Sequence, residues 1–168
     1  AGIGFARAHR IRYVTFPKRL GGLAMLRPYA VTGLIALLAV APAQAEIARI
    51  KQSSGAASVE RNTQRLTASP GLKLLAGDRL VTGKDGRLSV TFIDNTRFAV
   101  GPNSRVSVSE FQYDRTRQRG TFVTQVDRGS LAVVSGRIAK SNRDAMKVRT
   151  PNSLLGVRGT RFIIAVAQ

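Results

Sequence analysis

"GRLSVTFIDNTRFAVGPNSRVSVSEFQYD", Gly86 to Asp114, alternates apolar with polar residues at a period of two. Successive side chains of an extended chain point to opposite faces. Leu88, Val90 and Phe92 therefore share one face, and Val106 and Val108 share another, with serine, threonine or arginine between them. Two turn clusters, "DNT" and "GPNS", punctuate the run. The same grammar continues on both sides, in "GLKLLAGDRLVTG" from Gly71, "GTFVTQVDRGSLAVVSGRIAK" from Gly120 and "MKVRTPNSLLGVRGTRFIIAVA" from Met146. Breakers recur about every 8 to 12 residues, which points to an all-β fold and not a βαβ fold. No segment after Glu46 holds an apolar stripe at helical spacing over three turns. The expected class is all-β: short antiparallel strands in a roll, a sandwich or a solenoid-like domain, behind an N-terminal signal helix. "GDRLVTGKDGRLSV" and "DNTRFAVGPNSRVSV" echo each other as turn, short strand, glycine turn, strand, a pattern compatible with stacked hairpins or a short solenoid.

The charge is divided unevenly. The 168 residues carry a formal +18, and no acidic residue precedes Glu46, whereas Arg7, Arg10, Arg12, Lys18, Arg19 and Arg27 all lie in that leading part. Within it, "MLRPYAVTGLIALLAVAPAQA" from Met25 reads as a secretory signal peptide: Arg27 as the positive start, Tyr29 to Val40 as the apolar stretch, and "AQA" at Ala43 to Ala45 as the small-x-small cleavage site. The apolar stretch is shorter than the roughly 20 helical residues of a bilayer core, although an uncleaved membrane anchor is the alternative reading. The expected organisation is an upstream extension without a fold over 1–24, the signal peptide over 25–45, a flexible lead-in over 46–58 containing the small polar "QSSGAAS", and the β-domain over 55–168. The expected location is exported, periplasmic or extracellular.

Composition excludes several chemistries. Cysteine is absent and the one histidine, His9, precedes the signal peptide. The mature chain thus has no Ser-His or Cys-His pair and no His-ligated metal site. No cofactor and no metal are expected. Asp78, Asp85 and Asp94 stand in "AGDR", "GKDGR" and "IDNT", contexts in which an aspartate hydrogen-bonds its own turn. No stretch matches a calcium-binding D-x-[DN]-x-[DN]-G loop.

The order of turns from Leu74 to Phe162 resembles the FecR domain family. The residues that carry the resemblance are "GDRLVT" (Gly77, Asp78, Thr82), "FIDNT" (Asp94), "VGPNS" (Gly101, Pro102, Ser104) and the closing "TPNSLLGVRGTRF" (Thr150, Pro151, Gly156, Val157, Arg158, Gly159, Thr160, Phe162). The resemblance implies a non-enzymatic β-module in which these motif residues are structural. In the family's iron-transport transducers the domain lies in the periplasm and relays a signal from an outer-membrane receptor, through one membrane helix, to a cytoplasmic sigma-factor regulator. This chain has a cleavable-looking signal and no such cytoplasmic domain. The expectation is an exported, stand-alone FecR-like module.

The closing motif also admits a phosphate-cradle reading, but "GVRGT" precedes a strand-like "RFIIAVA" and not the helix a P-loop requires. Pro151 ends the strand before it, Gly156 and Gly159 frame a turn, and Thr160 and Phe162 restart a strand. Val157 faces the core by alternation and Arg158 the other side. Two roles are open for Arg158: an ion pair with an internal carboxylate, Asp78 or Asp94 being the candidates, or a contact with a partner. Arg115, Arg117 and Arg119 form the densest basic group and are candidate partner contacts that share one face if extended. The expected partners are an envelope protein of receptor type or another, or anionic lipid or lipopolysaccharide. Sequence-specific nucleic-acid binding is not expected, because stacking aromatics are few. The function expected is thus an interaction or signal-sensing module. A structural, adhesion-type or polyanion-binding envelope protein fragment, or a glycan- or phosphoester-active enzyme, are the alternatives.

Overall fold

A computed structural model describes residues 45–159 and 161–167. The expected extension over 1–24 and signal peptide over 25–45 lie outside the described residues, apart from Ala45. In chain order the elements are β1 (Ala48–Ser54), β2 (Ala57–Arg61), β3 (Gln64–Thr67), β4 (Lys73–Leu74), β5 (Arg79–Thr82), β6 (Arg87–Phe92), β7 (Arg97–Val100), β8 (Arg105–Asp114), β9 (Arg119–Val134), α1 (Arg137–Ser141), β10 (Met146–Arg149), β11 (Leu154–Val157) and β12 (Arg161–Val166).

Seven of the twelve strands form four long antiparallel passes, each bent in its middle, with β3 paired to β2 and β4 to β1 at the edges. β1 runs into β2, β5 into β6, β7 into β8, and β9 is continuous. One half of each pass belongs to a first sheet, where β1 pairs with β6, β6 with β7, and β7 with the second half of β9. The other half belongs to a second sheet, where β2 pairs with β5, β5 with β8, and β8 with the first half of β9. The four bends lie side by side and form a fold line. Along it Gly83 N–H donates to the Ala56 carbonyl (2.8 Å), Asn103 N–H to the Gly83 carbonyl (2.9 Å) and Gly101 N–H to the Ser130 carbonyl (2.9 Å). The sheet is in effect folded in half along a row of glycines.

Two of those glycines are required there. Gly129 bends β9 with a φ of +82°, a left-handed conformation, and a Cβ added to it would overlap Ser104. A Cβ on Gly86 would overlap the Ala56 carbonyl oxygen of the neighbouring bend. "KDG" and "GPNS" therefore mark bends within passes, whereas "DNT" at Asp94 and "YDRTRQ" at Tyr113 to Gln118 mark true reversals.

Folding the sheet brings its two inner faces together. Phe92 and Phe98 come from the first sheet, Phe111 and Phe122 from the second. Their ring centroids lie 4.7 Å apart for Phe92 and Phe122, and 5.5 Å for Phe98 and Phe122. Around them pack Ile50, Leu74, Leu80, Val90, Leu131 and Met146, all buried. Each Phe hides a large apolar area that the opposite sheet keeps from water, the main favourable term in a domain without disulfides.

After the fourth pass the chain adds outer strands to both sheets. β10 lies parallel to the first half of β9, β11 forms a hairpin on β10, and β12 pairs antiparallel with the second half of β9. β11 and β12 are consequently edge strands of the two sheets. The fold class expected from alternation is observed: nearly all strand, with α1 the one α-helix among the described residues. No helix among them is long and apolar enough to cross a membrane.

Two expectations are corrected. Residues 46–58 are no flexible lead-in: β1 occupies Ala48–Ser54 and β2 begins at Ala57, both in register with neighbouring passes. "QSSG" shows no alternation because the outer half of β1 is held by backbone pairing to β6 after a register shift between Ile50 and Gln52, with few of its side chains buried. Nor is Gly156 part of a turn. It sits inside β11 opposite Lys147, with a negative-φ backbone and room for a Cβ, so the connection to β12 turns only around Gly159, at a φ of +56°.

Candidate interaction site

The acidic residues named as candidates serve as structural pins. Asp78 is buried, and Arg61 grips it through two hydrogen bonds, Nε to Oδ1 at 2.8 Å and Nη2 to Oδ2 at 2.7 Å. The Leu75 N–H donates to the same carboxylate at 2.9 Å. Bidentate pairing of this kind satisfies a desolvated carboxylate, and the carboxylate in turn raises the Arg61 pKa above its ordinary value. The adjacent Gly77 turns at a φ of +91°.

Asp94 is fully buried. It accepts from the Thr96 N–H (3.0 Å), the Thr96 hydroxyl (2.7 Å) and the Ile138 N–H (3.3 Å), and the Thr96 hydroxyl oxygen accepts from Gly136 N–H (3.0 Å). One carboxylate thus ties the β6–β7 reversal to the start of α1. Asp85 accepts from the Ala56 N–H at 3.3 Å, across the fold line. The three aspartates lie on separate turns, and no cluster among the described residues has the composition of a metal site.

Thr82, Gly101, Pro102 and Ser104 form a latch on the fold line. The Thr82 hydroxyl donates to the Gly101 carbonyl (2.6 Å) and accepts from the Ser104 N–H (2.9 Å). Ser104 Oγ accepts from the Ser130 N–H (2.9 Å) and lies 3.0 Å from the Pro102 carbonyl. These contacts join the second, third and fourth passes at their bends. In the closing motif Thr150 N–H donates to the Ser153 carbonyl at 2.9 Å, making the turn from β10 to β11 that Pro151 opens. Val157 is buried, Phe162 half-buried against the core, and Thr160 lies outside the described residues.

Arg158 forms no ion pair with a carboxylate among the described residues. Asp78 is taken by Arg61 and Asp94 by hydroxyl and backbone donors, and Arg158 is exposed to solvent. Of its two open roles, the internal ion pair is thereby removed. Arg115, Arg117 and Arg119 are also exposed, but they crowd the tip of the β8–β9 hairpin and do not alternate along a strand. There Asp114 Oδ1 accepts from the Thr116 and Arg117 N–H groups, and Arg117 Nη1 approaches Asp114 at 3.8 Å.

With Asp78, Asp94 and the Thr82–Ser104 latch spent on turns, the unusual exposure lies at the two C-terminal edge strands. Leu154 and Leu155 on β11 are 58% and 44% exposed, and Ile163 on β12 is 76% exposed. Thr150 to Ser153, Leu155 and the edge of β12 line an open cleft between the two strands. Sequence reading passed over Arg61, Thr96, Ser130 and Ile163. A signal existed for the last: "FIIA" breaks the period of two, so one isoleucine must face outward.

The sequence matches the family described as "FecR protein" over residues 78–168. The chain belongs to the FecR family. The FecR match opens at Asp78, so it takes in three of the four passes and all the C-terminal edges, while the first pass and Arg61 precede it. A solved structure titled "Cell surface anchoring domain" is similar over 38% of this chain and 84% of its own, at 26% identity and a TM-score of 0.36. No curated protein matches the chain.

Proposed function

We propose that this FecR domain is an exported, non-enzymatic interaction module that binds an envelope protein by strand addition at the seam between β11 and β12. The observation that carries the reading is the exposure of Leu154, Leu155 and Ile163 on two edge strands whose outer sides have no backbone partner among the described residues. An edge strand offers unpaired N–H and C=O groups to an extended segment, and neighbouring apolar side chains give that segment something to bury. Arg158, exposed between the two strands, supplies charge beside the seam, and Arg115, Arg117 and Arg119 supply it at the hairpin tip. Export rests on the signal-like residues 25–45, and membership of the family supports a role in sensing or relaying a signal.

A second reading is favoured by the hairpin tip. Three exposed arginines with one carboxylate among them attract a polyanion such as lipopolysaccharide or anionic lipid, with affinity that falls as salt rises.

The test is capture from an envelope extract by the immobilised chain at two salt concentrations, with Leu155→Lys and the triple Arg115→Glu/Arg117→Glu/Arg119→Glu variant in parallel. Strand addition requires that a protein be captured, lost with Leu155→Lys and retained by the hairpin-tip variant. Capture that survives Leu155→Lys and fails with the tip variant selects the polyanion reading.

A further inference from the structure

We infer that the outer face of the first sheet is a docking trough for an acidic amphipathic helix of a partner protein, an inference that rests on the protein-binding reading above but places a second contact on the face of the sheet, which meets the seam only at Ile163. The face is built from β1, β6, β7, the second half of β9 and β12. Ser89, Ala99 and Ala132 are cross-strand neighbours along one row, which ends at Ile163. This row of small side chains floors an open groove of ≈ 650 Å³ that continues towards Arg161.

Arginines frame the floor. Arg97 and Arg161 flank Val134 on either side, since both are its cross-strand partners. At the other end stands Arg87, four residues before Thr91, the partner of Arg97. At about 3.3 Å per residue the two ends are about 13 Å apart. All three arginines are exposed. All nine carboxylates of the chain follow residue 45, and those that form ion pairs take Arg49, Lys73, Arg61, Arg79 and Arg117, none of the trough arginines.

The occupant follows from charge and shape. A second copy of this chain, and its own basic residues 1–45, are of the same sign as the frame. A flat bilayer does not reach a floor of Ala and Ser below the level of Ile163. A single-stranded nucleic acid calls for exposed aromatics on which bases stack, and Phe98 is buried and Phe162 half-buried against the core. A helix fills a trough. With a rise of 1.5 Å per residue, acidic side chains at i and i+8 stand about 12 Å apart, matching the arginine frame, and an apolar side chain at i+4 falls between them on the Ala99–Ala132 floor beside Ile163.

The experiment uses two labelled helical peptides of identical composition and the full chain. In the first, glutamates at i and i+8 flank a leucine at i+4. In the second the glutamates are moved to the opposite face. Fluorescence anisotropy is expected to show binding of the first peptide, with the second weaker by about tenfold or more. The double variant Arg97→Glu/Arg161→Glu, confirmed folded by circular dichroism, lowers binding of the first peptide by a similar factor. Equal binding of both peptides overturns the proposal, because it shows only general attraction to a basic protein. So does arginine-dependent binding of phosphatidylglycerol vesicles without discrimination between the peptides. Leu155→Lys separates the two readings: it leaves peptide binding unchanged if the trough acts, whatever becomes of strand addition at the seam.

Discussion

Arg61 and Arg97 are both strand arginines, yet one is locked and the other is not. Arg61 reaches inward from the end of β2 and holds buried Asp78 through two short hydrogen bonds, with a third to the Lys73 carbonyl at 2.8 Å. Arg97 stands on the outer face of β7, exposed and in no ion pair among the described residues. The same division separates the turns and fold line from the C-terminal edges. Around the turns, Asp78, Asp94, Thr96, Thr82 and Ser104 each accept from a backbone N–H. At β11, β12 and the trough, charge and apolar surface remain unmatched. Groups that the fold leaves unpaired are the ones open to a partner.

Substitutions sharpen the contrast in descending order. Asp94→Ala strands two buried N–H groups and the Thr96 hydroxyl at once. A loss of about 4 kcal/mol is expected from the usual 1–3 kcal/mol per orphaned group, read from urea unfolding. Arg61→Ala leaves a buried carboxylate without its cation and costs about 3 kcal/mol by the same method. Thr82→Val keeps the shape but removes the acceptor of the Ser104 N–H, which weakens the fold-line latch by about 2 kcal/mol. Gly159→Ala forces a side chain into left-handed backbone but meets nothing closer than Lys140 Cγ at 3.6 Å, so only about 1 kcal/mol is lost in thermal unfolding. At the bottom of the scale, Arg97→Glu with Arg161→Glu changes stability by less than about 0.5 kcal/mol.

Much of this division was legible in the residues. Alternation from Gly86 to Asp114 assigned the inward faces because a sheet with one buried side must repeat at two. "DNT" marked an aspartate that binds its own turn because Asp94 and Thr96 are close in sequence. Bends and reversals look alike in sequence because both are built from the same glycines and prolines; only long-range pairing, such as Thr82 with Ser104, distinguishes them. The Arg61–Asp78 pair spans 17 positions with no periodic sign. Arg61 occupies Asp78, and Thr96 and backbone donors occupy Asp94, so neither candidate carboxylate pairs with the exposed Arg158. The exposed face of β12 was foreshadowed only by the doubled isoleucine at Ile163 and Ile164.

The most direct measurement is urea unfolding of Arg61→Ala beside Arg97→Glu/Arg161→Glu in the full chain. The expected result is a loss of about 3 kcal/mol for the first and less than about 0.5 kcal/mol for the second. Equal losses, or a larger one for the trough pair, would show that the outer arginines are part of the fold and contradict their availability to a partner.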